Sequence, residues 1–340
     1  MDGDRLRATV VGFLAAAGVF AVLAYTLDAG EVAANVSRAS PPLVAAVVGV
    51  ILLWLLAWGL ALRTVLGVLG ERLGPGTAFL VFNGAMFSNN VTPFGQAGGE
   101  PVTALLISKV ADTEYERSLA AIASVDTLNF FPSIGLALLG AAYYATRVTL
   151  PQRLQAATGV ALLLAVAVPV GGYTLWRRRE VLSALLVDRL VPAVGWVADL
   201  VPRLSPPSPA SIADRVDHFF GTVERIATDP RGLLVALGAS SLGWFCQMVG
   251  LWLAFRALGE PVDFVVVMFA VPMGAIAGAT PTPGGSGFVE TALIGVLTLV
   301  VSAPAATVGA AVIVFRTAVY GVPVLVGGLF VSWLGVDVFG

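Results

Sequence analysis

Cysteine and histidine are almost missing from this chain: Cys246 and His218 each stand alone in 340 residues. A disulfide framework and a His- or Cys-rich metal site are therefore excluded. Charge is scarce too. Asp, Glu, Lys and Arg make up 12% of the residues, against about 25% in soluble domains. The 19 basic and 21 acidic residues leave a net charge of −2, so no basic field argues for nucleic acid. The alternating strands of a transmembrane barrel do not appear. No phosphate-binding loop, zinc-protease helix or nucleophile elbow is found, and nothing points to an ATPase or calls for a cofactor or metal.

Apolar sequence is what the chain has in abundance, with 58% hydrophobic residues and a mean hydropathy of +0.91. A bilayer is crossed by about 20 apolar residues in a helix. The expected fold is an all-α polytopic membrane protein. Six full spans are read at Val10–Leu27, Leu43–Leu62, Leu119–Tyr144, Leu154–Trp176, Leu233–Leu258 and Pro304–Leu334. Asp28–Glu31 reads as a loop, and Pro41-Pro42 suit the first turn of the second span. Thr77–Ser88 and Pro101–Val110 are shorter, roughly 18 Å of helix each against a hydrocarbon core of about 30 Å. They are read as arms of a re-entrant hairpin over residues 77–110. Val262–Ala279 and Phe288–Val301 form a second over 262–301. Ten crossing helices is the alternative.

Residues 1–179 then make a first transmembrane half and 231–340 a second. Residues 180–230 are a cytoplasmic amphipathic connector with a break at Ser205–Pro209. Ile212, Val216, Phe219, Phe220 and Val223 give it an apolar face for the membrane interface. His218 belongs to its solvated face, and Cys246 is packed in an apolar run.

The hairpin tips carry the unusual chemistry. Asn89–Glu100 reads Asn-Asn-Val-Thr-Pro-Phe-Gly-Gln-Ala-Gly-Gly-Glu, and Thr280–Glu290 reads Thr-Pro-Thr-Pro-Gly-Gly-Ser-Gly-Phe-Val-Glu. Each runs from Thr-Pro through glycines to a Glu that opens an apolar run. Irregular backbone and carboxylates at membrane depth are tolerated only inside protein or beside a cavity. The two tips are therefore expected to meet and form the site. Gly95, Gly98, Gly99, Gly284, Gly285 and Gly287 permit close backbone approach and positive φ. Pro93, Pro281 and Pro283 stop the preceding helix and free its carbonyls. The following helices aim N-terminal amides at the tips. Glu100 and Glu290 either cap those helices or handle a headgroup, cation or proton. Asn89 and Asn90 either donate to a headgroup or cap their arm. Asp126 and Arg316 lie in the spans after each hairpin, and Arg316 is expected to pair with Asp126, Glu100 or Glu290, or to hold a lipid phosphate.

The halves look related. Leu73-Gly74 then Phe79 recurs as Leu258-Gly259 then Phe264, 185 residues on, and Glu100 and Glu290 are 190 apart. With the N-terminus inside and both hairpins non-crossing, 14 of the 19 basic residues fall on the inner side. That bias sets the orientation, with both termini cytoplasmic. The first hairpin then enters from inside and the second from outside, which makes the halves inverted repeats.

Asn90–Glu100 and Pro281–Glu290, with Arg316 followed by Pro323 and Gly327-Gly328, resemble the motifs of the lysylphosphatidylglycerol synthase transmembrane-domain family, flippase-like membrane proteins. The resemblance covers roughly residues 7–334. Gln96 and Thr103 stand where many relatives carry a basic residue, which argues against a phosphate clamp there. Fused members flip an aminoacylated phospholipid and add a soluble transferase domain. This chain ends at Gly340, so the resemblance implies translocation and not synthesis.

The expected function is movement of a polar or charged lipid between leaflets of the cell membrane. The headgroup would sit at a midplane site of Asn89, Asn90, Pro93, Gly95, Gly98, Gly99, Glu100, Asp126, Pro281, Pro283, Gly284, Gly285, Gly287, Glu290 and Arg316. A secondary transporter of a small solute or ion is the alternative. An enzyme acting on a lipid-linked sugar or phosphate ranks last, because the catalytic clusters it needs are missing.

Overall fold

The structure, a computed structural model, describes residues 27–92, 96–145, 209–278, 280 and 282–335, with a few positions in 17–23 and 170–189. Most of the expected spans Val10–Leu27 and Leu154–Trp176 and most of the connector lie outside these residues. The described chain is all helix, with no strand among the described residues. The elements are α1 (Ala29–Ser37), α2 (Pro41–Val68), α3 (Pro75–Val91), α4 (Gln96–Ala111), α5 (Tyr115–Ala145), α6 (Pro209–Ala227), α7 (Pro230–Ala257), α8 (Phe264–Ile276), a 3-10 turn (Pro283–Gly285), α9 (Phe288–Val300) and α10 (Ala305–Leu334). Five stretches are long and apolar enough to cross a membrane: α2, Tyr115–Gly140 within α5, α7, Pro283–Val300 and α10. Four of the six expected spans are thus present as helices.

Two local expectations need correction. Asp28–Glu31 is not a loop. Asp28 Oδ1 accepts from the amides of Gly30 and Glu31 at 3.1 and 3.3 Å and so starts α1, the usual task of an Asp at a helix N-cap. Val32 of that helix is buried against α10. The first polar tip is also shorter than expected. α3 continues through Asn90 to Val91, and α4 already begins at Gln96, so Glu100 and Pro101 are helical. Thr92 ends α3 because Pro93 follows it.

α2 and α7 form the centre of the packing. They run antiparallel. The Ser40 amide, just before α2, donates to the Ala257 carbonyl at the end of α7 at 2.8 Å. Midway, Trp58 Nε1 donates to the Ser240 carbonyl at 3.1 Å. At the far end Gly232 faces Val68. Trp58 stacks edge-on with Trp54, Phe82 and Trp244, and its indole lies over Gly243, where a Cβ would overlap it.

Around this pair the packing is reciprocal. α10 touches α1, α2, α3, α7 and α9, while α5 touches α6, α7, α8, α2 and α4. α3 and α4 form one antiparallel hairpin, with Gly84 facing Leu106 and Gly99 facing Asn89. Its base is latched by Glu71, which accepts from Thr113 at 2.9 Å and pairs with Arg117 at 3.3 Å. α8 and α9 form the other, with Gly274 facing Leu293. α6 packs on α5 and buries Val216 and Ile226. His218 is on its exposed face, 3.7 Å from Asp214.

Candidate functional site

The site is built on the middle of α10, a helix of 30 residues. α3 lies antiparallel along its C-terminal half. Gly327 has no Cβ, so the Asn83 carbonyl can pack directly on it. Further along, Tyr320, halfway down α10, donates its hydroxyl to the Asn90 carbonyl at 2.8 Å. The 17 residues of α3, about 26 Å of helix, end here.

Arg316 stands one turn before Tyr320 and holds the second tip. Its Nε donates to Glu290 Oε1 at 2.7 Å, and its Nη2 to the Gly284 carbonyl at 3.3 Å. Glu290 Oε2 accepts from the Gly287 amide at 2.6 Å, so the carboxylate also closes the first turn of α9. The side chains of Arg316 and Glu290 are 12% and 7% exposed. Glu290 is thus both a helix cap and a buried ion-pair partner, two roles that sequence reasoning had set against each other. Of the three candidate partners for Arg316, the structure selects Glu290.

The tips touch. Gly284 adopts φ +57, and a Cβ on it would lie 2.6 Å from Asn90 Oδ1 and 2.8 Å from Tyr320 Cε2. Gly285 (φ +67) packs on Gly278, and Gly287 (φ +86) turns the chain into α9. Only a residue without a side chain fits such left-handed, crowded positions. Pro283 opens the 3-10 turn between them. One helix therefore ties both tips together, Tyr320 to the first and Arg316 to the second.

The remaining site residues fall into two groups. Asn89 and Gly99 face each other across the first hairpin, so close that a Cβ at Gly99 would overlap Asn89 Oδ1. Glu100 follows, partly buried in α4, and no described residue donates to it or pairs with it. Gly98 lies on the first turn of α4. Asp126 is partly buried on α5 and not beside Arg316 in any ion pair. Pro93, Gly95 and Pro281 lie outside the described residues. No three His, Cys, Asp or Glu side chains gather among the described residues.

Sequence reasoning missed one participant in the site and one buried polar junction outside it. Tyr320 could have been found from its spacing, since i and i+4 share a helix face with Arg316. Asn129 on α5 is buried; its Oδ1 accepts from Ser240 Oγ at 2.6 Å and its carbonyl from Trp244 Nε1 at 2.8 Å. A polar residue in the middle of an apolar span was the available signal.

Comparison with known proteins places the chain among membrane proteins. The chain is similar to two membrane proteins of Methanothermobacter thermautotrophicus, each described as a UPF0104 membrane protein. One is 25% identical over 342 residues, covering 98% of this chain and 95% of the relative. The other is 27% identical over 298 residues, covering 84% and 82%. No solved structure matches the chain. The profile of the family described as the lysylphosphatidylglycerol synthase TM region matches residues 9–327, nearly the whole length, and the chain belongs to that family.

Proposed function

We propose that this protein moves a polar or charged lipid between the leaflets of the cell membrane, as a transporter and not as an enzyme. The headgroup passes the junction of the two hairpin tips while the acyl chains stay in the bilayer. The observation that carries this reading is the contact of Asn90 with Gly284, both tied to the middle of α10. Two broken-helix tips converging on the centre of a spanning helix is the arrangement that transporters of repeated halves use for a substrate site.

The reciprocal packing supports an inverted repeat. Exchanging α1–α5 for α6–α10 turns the neighbours of α10 into the neighbours of α5. The equivalent helices α2 and α7 run antiparallel, as halves of opposite membrane orientation must. The charge bias places both termini and the base of the first hairpin on the cytoplasmic side. In such a protein each leaflet is served by one tip. The Arg316–Glu290 pair organises the second tip, and Glu100 is the free carboxylate of the first.

The test is a liposome assay with fluorescent lipids of differing headgroups. The reconstituted protein is expected to speed leaflet exchange for at least one charged headgroup. Exchange at the empty-liposome rate for every lipid, with uptake of a small solute instead, would overturn the lipid reading in favour of solute transport.

A further inference from the structure

The two hairpins follow one plan but differ in charge. In the second half Glu290, early in α9, pairs with Arg316, the twelfth residue of α10. On the reciprocal plan α4 and α5 are the counterparts of α9 and α10. Glu100 lies early in α4, and Asp126 is the twelfth residue of α5. Both are 190 residues before their counterparts. Where the second half has a carboxylate and a guanidinium, the first has a carboxylate at each place.

The oxygens around Glu100 lack donors. No described residue donates to Glu100. Thr103 lies one turn further along α4, on the same face. It is 1% exposed, and its hydroxyl has no partner. Asn89 is 7% exposed, and its Oδ1, packed on the bare backbone of Gly99 beside Glu100, has no partner either. Buried polar atoms are almost always satisfied, and each exception calls for an explanation. Here the exceptions share a chemistry. Both are oxygens, on the two helices that face each other beside Glu100, and a cation that takes oxygen ligands would satisfy them.

We propose that the first half holds a dehydrated sodium ion between Glu100, Asn89 Oδ1 and Thr103 Oγ1, in the place that the Arg316 guanidinium fills in the second half. An oxygen-only donor set suits a hard cation. The negative end of the α3 dipole and the positive end of the α4 dipole both fall at this tip and offset each other, so the carboxylate of Glu100 supplies the charge. Thr103 and Asn89 are too deeply buried for an alkylammonium headgroup to reach, whereas a bare ion is small enough. The proposal deepens the lipid-transport reading by naming its coupling ion, and it rests on that reading only for the ion's purpose.

Binding is tested apart from transport. The full chain, purified in detergent, is melted in sodium chloride or choline chloride at equal ionic strength. Sodium is expected to raise the midpoint saturably and choline not to. Glu100→Gln and Thr103→Val should each weaken the sodium response at least tenfold, while Glu114→Gln, exposed between α4 and α5, should keep it. Thr103→Val preserves side-chain shape, so it reads the site even where Glu100→Gln fails to fold. Equal responses to sodium and choline, or an undiminished sodium response in both site variants, would overturn the proposal. So would a midpoint that follows pH and ignores sodium, which would identify a proton. A sodium response in a protein that moves no lipid would leave the site standing and remove the lipid reading.

Discussion

Replacing Glu290 with glutamine tests the organisation of the second tip. The side chain keeps its shape, so the change is one of charge and hydrogen bonding alone. Two interactions are at stake: the 2.7 Å pair with Arg316 Nε and the 2.6 Å acceptance from the Gly287 amide. Glutamine offers one acceptor oxygen where two donors face it, and its amide brings further donors. The larger effect is on Arg316, whose side chain is 12% exposed and is left without its counter-charge. Breaking a buried pair in this way costs about 3–5 kcal/mol. The Gly284 carbonyl, at 3.3 Å, offsets only part of that. The assay is equilibrium unfolding of the purified protein in detergent, for Glu290→Gln, Arg316→Met and the double variant Glu290→Leu/Arg316→Met. Each single variant should lose several kcal/mol. The double variant should recover most of the loss, because removing both charges leaves neither one stranded. A Glu290→Gln variant within about 1 kcal/mol of wild type, the usual worth of an exposed pair, would refute the reasoning.

Three further outcomes follow from the geometry. Tyr320→Phe removes the donor to the Asn90 carbonyl and should cost about 1 kcal/mol with no change in expression; no measurable loss of stability would mean that the first tip is held otherwise. Gly284→Ala should lose more than the roughly 1–2 kcal/mol of a left-handed alanine, since its Cβ also meets Asn90 Oδ1 at 2.6 Å, whereas Gly295→Ala, exposed in α9 with open space at its Cβ, should gain about 0.5–1 kcal/mol; denaturant midpoints that rank the two the other way would contradict the tip geometry. In a Cys246→Ala background, Val68→Cys with Gly232→Cys should form a disulfide under mild oxidation because the two sites are in contact and a disulfide bridges Cβ atoms about 4 Å apart. Pairing of Val68→Cys with a cysteine at Ala254, near the other end of α7, in place of Gly232 would mean that α2 and α7 run parallel.

Much of this architecture was legible without coordinates. The spans at α2, α5, α7 and α10 begin and end within a few residues of where apolar runs meet charge or proline. Those boundaries are local facts, and a local reading finds them. Other local signals are ambiguous. Along the chain Asp28 reads as loop, yet it caps α1; Asn89, Asn90 and Glu100 read as loop, yet they finish α3 and stand inside α4. In each case the polar residue sits at or near a helix terminus, where it is compatible with the helix and does not break it.

What the sequence determined by itself is membrane residence and helical structure. A chain this apolar and this poor in charge must satisfy its backbone internally, and the bilayer leaves helices as the solution open to it. What only the tertiary structure decided is which distant groups meet. Arg316 had three acidic candidates, and its choice of Glu290, like that of Tyr320 for the Asn90 carbonyl 230 residues away, depends on how α10 lies across both hairpins. Composition and spacing act along the chain; pairing depends on which helix faces come together, and the packing of whole helices settles that.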